Sequence, residues 1–455
     1  MRHRSILWLM VFLIIKTLYT QPPPPTNPHI ENVITEISSA NIKATVEKLV
    51  SFGTRHSLSD TSSETKGIGA ARRWIKSEFE RYAKKSIGRM KVEFQEFLAP
   101  GSARVPYPAK IVNVIATLQP SNLIPTKSVP SSNRILIVSA HYDSRASNPL
   151  DSVSQAPGAN DDGSGTALVL ELARVFSKYE FDATIMFVAF AGEEQGLLGS
   201  RHFAAAAKEQ GWHIEAVFNN DIVGNIHSGD GTIESTYVRL FSEAYSPIDT
   251  GTTFRLRNLL GLENDGSSRG LARYIKEIGE RYVPNFGVKL IYRRDRFLRG
   301  GDHLPFHEQG FAAVRFTEAK ENFDHQHQDV RTKSGISYGD LPEYMNFEYC
   351  AAIARINAAT LASLAFAPVP PSNVRIMTRS LEYTTTLQWN KNAESDLAGY
   401  NILYRETTSP TWQHTLFTQD TAITLQVSKD DYFFGIQAVD RAGNASLYTI
   451  PLPLR

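Results

Sequence analysis

The stretch Arg134-Ile135-Leu136-Ile137-Val138-Ser139-Ala140-His141-Tyr142-Asp143 decides the fold. A short β-rich apolar run is cut off by a histidine and an aspartate, and such runs recur along the chain: Ile111 to Leu118, Ala183 to Phe190, Ala216 to Asn219 and Ala312 to Phe316. Between them lie patterns of helical period, such as Gly165 to Tyr179 with Leu168, Leu170, Leu172, Val175 and Phe176, and the Ala-rich Tyr344 to Leu364. Strands alternating with helices predict an α/β domain, with a mostly parallel central sheet flanked by helices, over residues 31–366. No internal repeat is present.

Outward from that domain the texture changes on both sides. Arg2, His3 and Arg4 precede an apolar run from Ile6 to Ile15 that is too short to span a bilayer comfortably, so residues 1–20 read as a signal peptide and 21–30, with Pro22 to Pro25, as a stiff spacer. The competing reading, a membrane anchor, is disfavoured by Lys16. Beyond Ala365, the prolines 368, 370 and 371 form a linker, and 367–455 alternate apolar and polar residues without a helical period. The runs Asn373 to Thr378, Thr384 to Asn390, Gly399 to Arg405, Ala422 to Val427 and Tyr432 to Asp440 predict a separate all-β immunoglobulin-like sandwich.

The chain's 455 residues suggest roughly two or three folding units. Lys and Arg number 48 against 47 Asp and Glu, so no field of one sign exists to draw in nucleic acid or an anionic membrane. Cys350 is the single cysteine, and an exported chain without an intramolecular disulfide fits a bacterial secreted or periplasmic protein. Asn444-Ala445-Ser446 matches a glycosylation acceptor, a pattern without meaning in a bacterial host.

Five clusters place acids and histidines where strands end, the place at which α/β folds bind ligands. They are His141-Tyr142-Asp143, Gly158-Ala159-Asn160-Asp161-Asp162-Gly163-Ser164-Gly165, Gly192-Glu193-Glu194-Gln195, Asn219-Asn220-Asp221 and Asp324-His325-Gln326-His327-Gln328-Asp329. Singly each has a bland reading: an Asp in a Gly-rich turn caps a helix, adjacent glutamates face solvent. Five in this order predict a metal site, because imidazole nitrogen and carboxylate oxygen are donors that zinc accepts. His307-Glu308 is followed by Phe311 where a second histidine would be needed, so no HExxH helix is present.

With Asn113-Val114-Ile115-Ala116 and Gly301-Asp302-His303-Leu304-Pro305-Phe306, these clusters resemble the secreted bacterial di-zinc aminopeptidases and their relatives, the glutamate carboxypeptidases and glutaminyl cyclases, over roughly residues 40–365. The resemblance implies that His141 and Asp221 hold one zinc, Glu194 and His325 the other, and that Asp161 bridges two ions per chain. It also implies that Asp143 orients His141, that Glu193 is the general base, and that a cis peptide follows Asp161. Cleavage at a free N-terminus follows from the resemblance alone, with peptides as the substrates and no stable membrane insertion after signal cleavage. His325 stands four residues before Asp329 as the resemblance requires, and His327 remains the alternative. Asp302 and His303 are candidates to line the substrate pocket, with a packed structural role equally open.

The tyrosine that such enzymes place before the last histidine is replaced by Asp324, which leaves zinc itself or Tyr292 to stabilise an oxyanion. Specificity is expected from the polar, Gly-rich residues 225–299. In the C-terminal region Leu387-Gln388-Trp389, Ala398-Gly399-Tyr400-Asn401-Ile402 and Tyr432 before Ala438-Val439-Asp440 resemble a fibronectin type III domain, with Trp389 as core tryptophan and Tyr432 as corner tyrosine. Competing activities are a glutaminyl cyclase-like or carboxypeptidase reaction on the same fold, or a binding protein with a dead first domain.

Overall fold

The computed structural model describes residues 26–121, 133–379 and 381–454. The signal peptide expected at 1–20 lies outside them, as does the first half, 21–25, of the 21–30 spacer, whose end is taken up by a helix: Asn27 caps it and Pro28 occupies its first turn. In chain order the strands of the first region are β1 (Met90–Ala99), β2 (Ala109–Leu118), β3 (Arg134–His141), β4 (Thr184–Phe190), β5 (His213–Asn220), β6 (Tyr237–Ser242), β7 (Gly287–Ile291) and β8 (Ala313–Thr317), followed by the ribbon β9 (Arg331–Lys333) and β10 (Ile336–Tyr338). The helices are α1 (Pro28–Thr35), α2 (Ser39–Val50), α3 (Gly67–Ala83), α4 (Gly163–Phe176), α5 (Leu198–Glu209), α6 (Gly251–Leu259), α7 (Ser267–Tyr282), α8 (His303–Glu308) and α9 (Phe347–Phe366).

One eight-stranded sheet runs β1-β2-β4-β3-β5-β8-β6-β7. Its centre, β4-β3-β5-β8, is parallel, and β3 and β4 read as continuous apolar runs because helices cover both of their faces. The antiparallel strands β1 and β2 on one side and β6 on the other were not apparent as such in the sequence. Residues of α2, α3, α4, α7 and α9 pack one face, and Phe203, Ala204 and Ala207 of α5 with Phe306 of α8 pack the other. Leu168, Leu172 and Phe176 repeat every four residues along α4 and are fully buried, each contributing about 1.5–3 kcal/mol of apolar transfer. Helix α9 is long and apolar enough to cross a membrane, but it is buried as a core helix.

The chain leaves β3 through α4 to β4 on one side, then returns through α5 to β5 on the other. This reversal at β3 opens a crevice at the carboxyl ends of the three strands.

After α9, strands β11 (Arg375–Met377), β12 (Thr385–Gln388), β13 (Leu397–Glu406), β14 (His414–Thr418), β15 (Ala422–Leu425), β16 (Tyr432–Asp440) and β17 (Leu452–Leu454) form two sheets, β15-β12-β11-β17 and β14-β13-β16. Leu387, Trp389, Tyr400, Ile402, Phe434 and Ile436 fill the space between them as an all-β sandwich. Trp389 meets Tyr400 edge-on at 5.2 Å. The hydroxyl that ties back to the main chain belongs to Tyr400, which accepts from the Asn392 N–H at 2.8 Å, whereas Tyr432 packs edge-on against Tyr404.

The sandwich is seated firmly on the first region. Arg405 donates to both carboxylate oxygens of Asp265 at 2.9 and 2.7 Å, Arg273 donates to Asp265 at 2.9 Å and to Tyr448 Oη at 2.9 Å, and Tyr274 Oη donates to the Ala445 carbonyl. Asn444 is buried; its Nδ2 donates to Asp440 at 2.8 Å and its Oδ1 accepts from Asn27 Nδ2 at 3.0 Å, closing a contact between residues 417 positions apart.

Candidate metal centre

His141 ends β3, Asp221 follows β5, and the turn Gly192-Glu193-Glu194 follows β4, so parallel strands deliver three clusters to one edge of the sheet. The fourth comes from the Gly158–Gly163 loop, which must run so tightly that a Cβ at Gly158, at φ +55°, would lie 2.5 Å from the Asp161 carbonyl oxygen. Buried Arg55 pins this loop through the Gly158 carbonyl at 2.8 Å and holds the end of β3 through the Tyr142 carbonyl at 2.8 Å. Asp340 accepts from the Asn160 and Asp161 N–H groups at 2.7 Å each.

Asp162 binds the frame from below. Its carboxylate accepts from Gly165 N, capping α4, at 2.9 Å, from His141 N at 3.1 Å and from Ile222 N at 3.3 Å, joining β3, α4 and the end of β5. The peptide bond Asp161–Asp162 is cis. Asn113 bridges β2 to the glutamate turn, accepting from Ala191 N at 3.2 Å and donating to the Gly199 carbonyl at 3.0 Å.

Above this frame two groups of donors form. Nε2 of His141 lies 3.3 Å from Asp161, 3.8 Å from Asp221 and 4.0 Å from Glu193, while Nε2 of His327 lies 2.9 Å from the other Asp161 oxygen and 3.2 Å from Glu194. His141, Glu193 and Asp221 could hold one ion, and Asp161, Glu194 and His327 another. His141 Nε2 and Glu194 Oε1 are buried without a hydrogen-bond partner, a costly state for protein alone and the expected state of an atom that coordinates a metal.

Electrostatics agree with that fit. Burial disfavours charge on either histidine, yet Glu193, Asp143, Asp161 and Asp221 hold His141 well above its ordinary range, and Glu194 and Asp161 push His327 up to about 10. So many carboxylates around two imidazoles are a surplus of negative charge that a bound cation would answer. Burial pushes the Glu193 carboxyl well above the carboxylate range against the pull of His141, with Asp221, Glu194 and Asp302 adding to the rise. Asp221 is held below that range, despite its burial, by Arg315 and His141, with an Arg315 nitrogen 2.9 Å away.

Three expectations need correction. His325 is not among the donors: its ring stacks on Tyr344 with centroids 3.5 Å apart, and His327 takes its place. The segment turns and bends rather than extending, and His327 sits at φ +51°, so two residues apart no longer means the same direction. His303 lies inside the protein instead of lining the cleft, its Nε2 2.9 Å from the Arg294 carbonyl and its pKa brought to about 4 by burial; Asp302, likewise buried, accepts from Ser200. Tyr292 donates to the Pro410 carbonyl at 3.1 Å at the sandwich interface and stacks under Arg269, far in role from an oxyanion donor.

Asp143 acts differently from the expected carboxylate–imidazole pair. Its main-chain oxygen lies 3.1 Å from His141 Nδ1 and its carboxylate 3.6 Å away; the two carboxylate oxygens instead accept from the N–H groups of Glu193 and Glu194 at 3.3 and 3.2 Å. Asp143 thus orients the histidine and the glutamate turn together. Arg315 escaped the sequence reading although a charge within the apolar strand Ala313-Val314-Arg315-Phe316 was its signal; for Arg55 there was none.

Comparison with known proteins gives the frame a lineage. The model of Peptidase family M28 matches residues 113–341. A protein of Leptosphaeria maculans named Probable zinc metalloprotease is 42% identical over 94% of this chain and 98% of its own, and one of the same name from Pyricularia oryzae is 40% identical over 95% and 88%. Among solved structures, the LapA aminopeptidase of Legionella pneumophila superposes with a TM-score of 0.51 at 22% identity over 75% of each chain, and the aminopeptidase from Aneurinibacillus sp. strain AM-1 with 0.52 at 16% over 74% and 96%. At such identities the bacterial structures share the fold alone. The close sequence relatives are fungal, which overturns the expectation of a bacterial protein.

Proposed function

The chain belongs to peptidase family M28 as a zinc metalloprotease, and from that premise we propose that it removes N-terminal residues from peptides at a centre of two zinc ions, with Glu193 as general base. The observation that carries the reading is Asp161, whose two oxygens face different histidines, each completed by a further carboxylate, Asp221 beside His141 and Glu194 beside His327. Zinc bound there would supply Lewis-acid chemistry, polarising the scissile carbonyl and acidifying a water.

The chain's own residues do the rest. Around His141 Nε2, Asp161 and Asp221 are the nearest carboxylates, which leaves Glu193, the farthest at 4.0 Å, free to work on protons. Glu193 takes the proton of the attacking water and passes it to the leaving amine, a role worth on the order of 10² to 10⁴ in rate. Asp143 fixes the Glu193 main chain, so the carboxylate is aimed before substrate arrives. That two structural neighbours, from Legionella pneumophila and Aneurinibacillus, are aminopeptidases supports exopeptidase action. The proposal extends to export, with 1–20 as signal peptide, and to 367–455 as an accessory domain of fibronectin type III type.

The test is hydrolysis of amino-acid anilides by purified protein, beside metal analysis. Two zinc ions per chain, activity abolished by a chelator and regained with zinc, and no cleavage of N-acetylated substrates are expected. Cleavage of blocked peptides in their interior would replace aminopeptidase with endopeptidase.

A further inference from the structure

The cleft above the donors, about 590 Å³, is lined by Arg104, Arg145, Arg201, Arg296 and Arg299 together with the carboxylates of the metal centre. Arg201 is half exposed and paired with Glu308 at 2.7 Å, so it faces outward. The other four bear on the cleft itself.

On one wall a chain of ion pairs runs from the metal centre to the rim. Asp221 meets Arg315 at 2.9 Å, Arg315 meets Asp295 at 2.7 Å, Asp295 meets Arg296 at 3.1 Å, and Glu321 then serves Arg296 at 2.9 Å, Arg299 at 3.1 Å and Arg239 at 2.7 Å. Four guanidinium groups therefore share three carboxylates, and one of those, Asp221, belongs to the metal centre. The cationic excess falls where Glu321 is spread over three arginines, and of these Arg296 and Arg299 line the cleft with side chains only 10% and 30% exposed. Across the cleft Arg145, 14% exposed, has a nitrogen 3.8 Å from a Glu194 oxygen, and Arg104 donates to the Glu194 main-chain carbonyl at 2.8 Å. Neither contact gives its guanidinium a carboxylate that the metal centre does not already claim.

Cations as buried as Arg296 and Arg299 are costly in excess unless an anion meets them, and a guanidinium fork matches a carboxylate in plane and spacing. We propose that this cleft selects substrates carrying a carboxylate next to the scissile bond, held by Arg296 and Arg299. The inference rests on the exopeptidase reading and names its substrate class. The carboxylate has two sources: the side chain of an acidic residue, or the free C-terminus of a dipeptide. A lysine or arginine in that place meets like charge and is rejected.

Steady-state kcat/KM for zinc-loaded protein on Glu, Gln, Leu and Lys anilides, and on dipeptides with free or amidated C-termini, tests this. A Glu side chain or a free C-terminus should be favoured about ten- to a hundredfold over its uncharged amide, as expected for charge-assisted hydrogen bonds. The advantage should shrink as ionic strength rises from about 0.01 to 1 M, over which the screening length falls from about 30 to 3 Å. Calorimetric titration with free glutamate against glutamine gives a readout independent of turnover, and Arg299→Gln should erase the glutamate advantage while Arg299→Lys keeps part of it. A preference confined to the dipeptides assigns the carboxylate to the C-terminus. Gln and amidated substrates cleaved as well as their acidic counterparts, at low salt, overturn the inference and leave the aminopeptidase reading standing. No cleavage of any substrate by protein that binds zinc overturns both.

Discussion

Two buried clusters of acid and base in this molecule look alike in composition and differ in saturation. At the seat of the sandwich both oxygens of Asp265 are taken by Arg405, and Arg273 adds a third donor. At the ends of β3, β4 and β5 the acids outnumber their cationic partners, and His141 Nε2 and Glu194 Oε1 are buried without a hydrogen bond. In the first arrangement the carboxylate is fully answered by protein and only the Nε of Arg405 is left over; in the second the orphaned atoms are the imidazole nitrogen and carboxylate oxygen that a cation would take up. Saturation, more than charge or burial, separates a structural ion cluster from a working one.

The sharpest way to break that contrast is His327→Ala, which should leave about one zinc per chain and nearly abolish hydrolysis; a variant that keeps two ions and its turnover would remove His327 from the centre. Next in size, Glu193→Gln should lower kcat by about 10² to 10⁴ while both ions stay bound, and loss of zinc there would make Glu193 a ligand instead of a base. At the saturated cluster the effect moves from rate to stability. Asp265→Ala strands two buried guanidinium groups and should cost about 3–5 kcal/mol in chemical denaturation, with turnover of small anilides per folded molecule intact. If activity falls instead, the sandwich reaches the site. The smallest effect is expected of His325→Ala, which forfeits a ring stack worth about 0.5–1.5 kcal/mol and keeps both ions, as metal analysis would verify.

Much of this was readable in the chain because the signals were local. Each of His141, Glu193, Glu194 and Asp221 stands just beyond an apolar run, so strand ends announced them without knowledge of strand order. His327 was misjudged in favour of His325 because the choice turned on one backbone torsion, φ +51° at His327, which no spacing rule carries. Strands β6 and β7 were missed for a related reason: Tyr237–Ser242 and Gly287–Ile291 are short, and only pairing with β8 and with each other makes them strands. The second region was expected to hang from a proline linker. Arg405 gave no hint that its partner was Asp265, 140 residues earlier, since a salt bridge across a domain interface leaves no periodicity behind.

The link between Asn27 and Asn444 sets a timetable. At roughly 5–20 residues added per second, the 417 positions between them take roughly 20 to 80 s to synthesise, and α1 must wait that long for its distal partner. Asn444 is also the asparagine of an Asn-Ala-Ser acceptor, buried in the finished fold with its amide nitrogen engaged by Asp440. In a secretory compartment that attaches glycans to emerging chains, sugar and clasp compete for the same amide. For a chain exported by that route, the rate of closure over those last residues would set whether Asn444 is sealed or marked.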